Sequence, residues 1–487
     1  MRWVRFGSFT LGLAFIAAGF AVRCFAEDQP ATKFSIACGA AVPASADAPL
    51  VDQKSGLVKA AGEAVSENAD LAQAAIKTLR EAGPAGLEAL LSVHREATEA
   101  RGDGALVGNV VDDAWRQRLS AALDAVGGQR DCLTSRLFWY TDLNAAKAAA
   151  KESGKPILSL RLLGKLTDEF SCANSRFFRT TLYANEAVSK VLRDRFILHW
   201  ESVRPVPKVT IDFGDGRKLE RTLTGNSIHY VLDSDGRVID ALPGLYGPQA
   251  FLRGLDDAER AMNDAKVATK SGIETARIAF LQDYHERKAK EILAAWNRDL
   301  GQLGLADVSK GAAQPSAPVQ PRAVAANAVA RPKRDVETPL VAAALAEAGV
   351  LTAKTDDTVW ARIAQLHQAD AQLDAVSIAL IRSQNPTAAR AMPLAMTKAM
   401  VEDPVLRLVR SFQNTIAIDT VRNEYTFHRQ IHEWFAAGEV PMDVEVNTLN
   451  DRIYAKLFLT PGNDPWLGLV PGDVYTALDH NGVSEVK

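Results

Sequence analysis

The chain has 487 residues, 47% of them hydrophobic and 24% charged, with a formal net charge of -3. Its length exceeds what one hydrophobic core usually organises, which predicts two or three domains. The composition excludes a disordered chain and a polytopic membrane protein, and the charge balance offers no concentrated basic surface for nucleic acid.

Arg2 and Arg5 precede an apolar run from Phe6 to Val22, and Cys24-Phe25-Ala26 then leads into Glu27 and Asp28. This order predicts an export signal over residues 1–26, cleaved after Ala26. Arg23 beside Cys24 argues against lipid attachment, and the apolar run is short for a spanning helix. The expectation is a periplasmic or secreted protein with no stable membrane insertion after cleavage. Cys38, Cys132 and Cys172 would then sit where disulfides persist. The economical pairing is Cys38 with Cys132, with Cys172 as the odd thiol; the spacing leaves the other two pairings open.

Residues 27–131 read as a helical region. Leu71, Ala75, Ile76 and Leu79 share one helical face, Gly83-Pro84 breaks the pattern, and Leu87, Leu90 and Leu91 line the next face. From residue 132 to 263 strands alternate with helices: strand Leu137 to Tyr140, helix Leu143 to Ser153, strand Pro156 to Leu163, helix Glu186 to Arg195 and strand Phe196 to Trp200. A hairpin over Lys208 to Leu223, strands Ser227 to Leu232 and Arg237 to Leu242, and a helix from Pro248 close this α/β unit. Residues 264–303 extend it as helix. Residues 304–339 contain Pro315, Pro318, Pro321, Pro332 and Pro339 among Ala, Gln and basic residues, which predicts a linker. Residues 340–487 read as a helical domain, with helix over Asp356 to Ser383, Val405 to Phe435 and Val444 to Leu457, and a loop-rich tail from Thr460. The expected fold class is α+β multidomain, with helical regions flanking a central α/β domain.

The element order, together with Lys155-Pro156-Ile157-Leu158 before a loop and Leu232-Asp233-Ser234-Asp235-Gly236-Arg237 late in the unit, resembles the thioredoxin superfamily over residues 132–263. That resemblance implies a redox Cys-x-x-Cys at the start of the helix after the first central strand, and a cis-proline facing it. Here the first stretch is Cys172-Ala173-Asn174-Ser175, with serine in the resolving position, and Thr224-Gly225-Asn226-Ser227 carries no proline. The resemblance makes Cys172 the candidate thiol and Ser175, Asn226 and Ser227 its polar neighbours. A helix start with Arg176 and Arg179 nearby would favour a thiolate. His199 and His229 on the central strands could approach it, although a lone strand histidine more often bonds within a core.

Glu424, His428 and His432 recur at i, i+4 on one helical face, a spacing that can chelate a divalent metal. The surrounding residues lack the His-Glu-x-x-His of a zinc protease. Asp212-Phe213-Gly214 and Asp233-Ser234-Asp235-Gly236 imitate kinase and calcium motifs without the partners those need. Three readings follow. The first is an exported thioredoxin-like protein with single-cysteine redox or redox-sensing chemistry at Cys172, its oxidoreductase activity in question without a resolving cysteine. The second is a non-enzymatic envelope scaffold that binds protein partners. The third is a metal-binding protein, with a divalent metal as the candidate cofactor.

Overall fold

The computed structural model describes residues 48–95, 113–223, 225–268, 274–305, 357–385, 404–460, 462 and 466. The expected signal at 1–26, Cys38, the linker beyond residue 305 and most of the tail lie outside the described residues. The chain divides into two units, Met1–Val51 and Asp52–Lys487. The first is described only where helix α1 (Ala48–Glu63) begins; the second contains everything below.

Helices α2 (Ala69–Glu81), α3 (Pro84–Val93) and α4 (Asp113–Gly127) follow α1. The Asn68 side chain caps α2 by accepting from the amides of Asp70 and Leu71, and Pro84 opens α3 where a helix needs no amide donor. Ala75, Leu79, Leu87, Leu90, Leu119 and Leu123 close into a small core of their own. Leu71, expected on that face, is instead exposed.

The α/β region supplies β1 (Trp139–Tyr140), α5 (Leu143–Ser153), β2 (Ile157–Leu163) and α6 (Ala173–Phe177), which runs into a π turn at Phe178–Leu182. It continues through α7 (Glu186–Arg195), β3 (Ile197–Arg204), the hairpin β4 (Lys208–Asp212) and β5 (Lys218–Thr222), then β6 (Ile228–Leu232), β7 (Val238–Pro243), α8 (Pro248–Ala268) and α9 (Glu274–Gln302). The five-stranded sheet has the order β1-β3-β2-β6-β7, and β4-β5 forms a separate ribbon. Strands β1, β3 and β2 are parallel, while β6 runs antiparallel to both β2 and β7. Every residue of β2, β6 and β7 is buried. Continuous apolar runs belong in strands covered on both faces, and helices provide that cover.

The C-terminal part forms α10 (Asp357–Leu366), a 3-10 turn at Gln368–Ala371, α11 (Ala375–Gln384), α12 (Pro404–Arg422), a π turn at Asn423–His428, α13 (Arg429–Ala436) and α14 (Val446–Lys456). The helix expected over Asp356 to Ser383 is therefore split, because Asp374 caps a new helix by accepting from the Ser377 amide. The region expected as a domain of its own shares one hydrophobic core with the sheet: Ile416, Ile431, Phe435, Leu449, Ile453 and Phe458 belong to the same cluster as Leu158, Val231 and Leu242. Proline-rich sequence between two parts of the chain does not dictate where their apolar faces meet. The protein is thus mixed α+β. Among the described residues, no helix is long and apolar enough to cross a membrane.

Candidate functional site

Asp240, His428 and His432 converge in the core where α13 and the π turn before it cross β7. Their side chains are at most 3% exposed, and one potential ligand atom from each lies within 4.8 Å of the others. His428 Nε2 is 3.0 Å from Asp240 Oδ1, and His432 Nε2 is 3.7 Å from the same oxygen. The i, i+4 spacing puts the two imidazoles together, with ring centroids 4.4 Å apart. The π turn widens and underwinds the helix just before them, a feature that recurs at functional sites.

A further layer of polar groups orients this trio. Glu424 Oε2 accepts from His428 Nδ1 at 2.8 Å and from Tyr246 at 3.2 Å. Tyr284 donates to Asp240 Oδ2 at 2.6 Å, and the Ala241 amide donates to Oδ1 at 2.7 Å. His285 Nδ1 lies 2.7 Å from His432 Nδ1, with its ring stacked on Phe435. One of these two nitrogens must donate. If His432 is the donor, its Nε2 keeps a free lone pair directed toward Asp240. That Nε2 is buried without a hydrogen-bond partner.

Burial opposes charge on every member, but the ions within the cluster modify that effect. Burial lowers the His428 imidazolium, yet the Glu424 and Asp240 carboxylates outweigh it and hold its pKa at about 10. Burial also works against the Asp240 and Glu424 carboxylates, and the adjacent imidazoles hold both below their ordinary range. Burial dominates at His285, which falls to about 4, and at His432, which falls well below the ordinary histidine value. His428 and Glu424 also line a 540 Å³ cavity with Tyr246, Lys288 and Arg253. The Glu424 side chain is 30% exposed, so it stands between that cavity and the buried rings.

Cys172 stands at the N-cap of α6, beyond the loop that follows β2. It is also fully buried. Its sulfur lies 3.0 Å from Ser227 Oγ and 3.4 Å from Ser175 Oγ, so two of the expected polar neighbours do meet it. Asn226 turns away: its Nδ2 reaches the Phe458 carbonyl at 3.5 Å. Arg179 is committed elsewhere, donating to the carbonyls of Leu166 and Asp168. Neither strand histidine bonds the thiol. His199 Nδ1 pairs with Ser159 Oγ at 2.9 Å, and His229 Nε2 pairs with Tyr183 at 2.7 Å. Burial takes both rings to about 3, with the nearby Arg161 charge adding to the effect at His199. Cys132 is buried with its sulfur 3.6 Å from the Leu137 carbonyl; its expected partner Cys38 lies outside the described residues.

The histidine spacing identified two of these three residues in advance. It assigned Glu424 as the third ligand, whereas the structure puts Glu424 behind His428 and brings Asp240 to the front. The signal for Asp240 was a lone acid inside the apolar run Val238-Ile239-Asp240-Ala241-Leu242. A carboxylate in a strand buried on both faces must have a partner. His285 left no comparable trace. No family model, curated protein or solved structure matches the chain.

Proposed function

We propose that this chain is a metal-binding protein in which Asp240, His428 and His432 hold one divalent ion between the sheet and the C-terminal helices. The observation that carries this reading is the fully buried, unpartnered Nε2 of His432 facing Asp240. A buried polar atom left without a partner is costly, and a metal ion would supply one. Zinc bonds of about 2.0–2.1 Å in a tetrahedral site separate neighbouring ligand atoms by about 3.3 Å. The two contacts to Asp240 Oδ1, at 3.0 and 3.7 Å, bracket that spacing. Glu424 on His428 Nδ1 and His285 on His432 Nδ1 are the kind of outer partners that orient metal-bound imidazoles. With His428 neutral, the Asp240 and Glu424 carboxylates balance a divalent charge. The depth of burial favours a structural ion over one exposed to substrate.

A thioredoxin-like sheet is the scaffold in this reading. Support comes from three parallel strands continued by two antiparallel ones, and from a cysteine at the N-cap position of the helix after the first central strand. Single-thiol chemistry is the weaker reading, because a thiol with no solvent exposure and two hydroxyl neighbours resembles an inert core cysteine. The test is elemental analysis of the gently purified full chain, followed by zinc titration. One equivalent in the wild type, lost in His432→Gln with the fold retained by circular dichroism, supports the site. A wild type holding well under one equivalent after zinc addition removes it.

A further inference from the structure

We infer that metal occupancy at Asp240, His428 and His432 controls access to Cys172, by fixing the C-terminal helices as a cover over the thiol. This rests on the metal-binding reading above and adds a consequence for a second, separate site.

The cover can be traced residue by residue. Directly over the sulfur lies the turn Gly225-Asn226-Ser227, so close that a Cβ on Gly225 would overlap the Cβ of Cys172. That turn is held from above by α14 and the residues after it. Tyr454 donates to the Asn226 carbonyl at 2.7 Å, and Asn226 Nδ2 reaches the Phe458 carbonyl. Alongside, Asn447 Oδ1 accepts from Arg161 Nη2 at 3.0 Å, and Asn450 Oδ1 accepts from Tyr230 at 3.2 Å. Thus Asn447, Asn450 and Tyr454, on one helix, all bond to the sheet side of the thiol.

The closed arrangement is not fully satisfied. Ser171 Oγ and both amide atoms of Asn174, which flank Cys172 in sequence, are buried without partners, as is Thr460 Oγ1 at the end of the cover. Such groups gain water when a cover loosens, so they favour opening. The metal cluster opposes this. Two of its ligands lie on α13 or the turn leading into it, one lies on β7, and a short connection joins α13 to α14. An ion bridging β7 to α13 can bind all three ligands only when the C-terminal helices are seated on the sheet. Binding to the closed form alone multiplies its population relative to the open form.

The experiment is alkylation of Cys172 in the full chain by a small maleimide, resolved from the other cysteines by peptide mapping, with zinc bound or removed by chelator. Zinc at 100 times its Kd is expected to slow the reaction by about a hundredfold, following the linkage for a ligand that binds one state. Tyr454→Phe loosens the cover without touching a ligand, and is expected to speed alkylation of the zinc-bound chain while leaving zinc stoichiometry intact. Stoichiometric zinc with an unchanged rate in both states overturns the coupling and leaves the metal site standing. An unchanged rate in Tyr454→Phe removes α14 as the cover. A chain that takes up no zinc overturns the site and the coupling together.

Discussion

Two buried polar sites lie on the same sheet, and they differ in how their groups are satisfied. Around Cys172 the partners are two neutral hydroxyls, Ser175 and Ser227, and the thiol makes contacts that an inert core residue could make. Around Asp240 the groups are convergent and one is charged: the His428 imidazolium and the neutral His432 ring face one carboxylate, a second carboxylate stands behind His428, and ring nitrogens of His432 and His285 are left over. The residue that looked most reactive by family resemblance is the quieter of the two. A catalytic-looking residue type carries less information than an unbalanced set of lone pairs and charges in a dry interior.

The largest expected effect separates the two sites directly. Asp240→Asn leaves the His428 imidazolium with one fewer buried counter-charge, and breaking such a buried pair costs about 3–5 kcal/mol. Urea unfolding of the metal-free protein should show that loss, and zinc should no longer raise stability; a variant as stable as the wild type and still stabilised by zinc would remove Asp240 from the centre.

Gly225→Ala tests the thiol side. Gly225 has φ of 141°, outside the range of ordinary L-residues, and its Cβ would overlap Cys172. Overpacking together with backbone strain should cost about 3 kcal/mol. If Gly225→Ala is tolerated within experimental error, the turn does not press on the thiol as described.

The smallest effect concerns His367, on the wall of the cavity beside Glu424. The neighbouring carboxylates, Asp370 at 3.8 Å and hydrogen-bonded Asp299 at 2.7 Å, raise it above 6.5, with burial opposing. Asp299 also accepts from Tyr425, and Arg253 neutralises Asp370. A raised folded-state pKa means that the stabilisation is fully present below the unfolded value and is lost as pH rises through the folded one. The wild type should therefore exceed His367→Gln by under about 1 kcal/mol in acid, with the gap closing as pH rises from 6.5 upward. A gap that widens with pH reverses the assignment.

Much of the local structure was legible. Helix boundaries at Leu143 and Ser153 follow from the Asp142 cap and the left-handed Gly154, and those of Glu186–Arg195 from the Asn185 cap. Such signals act over a few residues and survive in any context. The hairpin over Lys208 to Leu223 was also expected, because Gly214 and Gly216 supply the positive φ its turn requires. His428 and His432 were paired by helical spacing alone. The π turns at Phe178–Leu182 and Asn423–His428 were not foreseen, since so short an underwound segment carries no capping or breaker residue that would mark it in the sequence.

By itself, then, the sequence determined the strands, most of the helices and the two histidines on one face, because each depends on dihedral preferences and spacing within a turn or two. Tertiary structure alone decided that Asp240 meets His428 from 188 residues away, that Glu424 stands behind His428, and that α14 covers the thiol. Those outcomes depend on how apolar faces distant in the chain bury one another, and hydrophobic burial has no directional code that a single sequence displays.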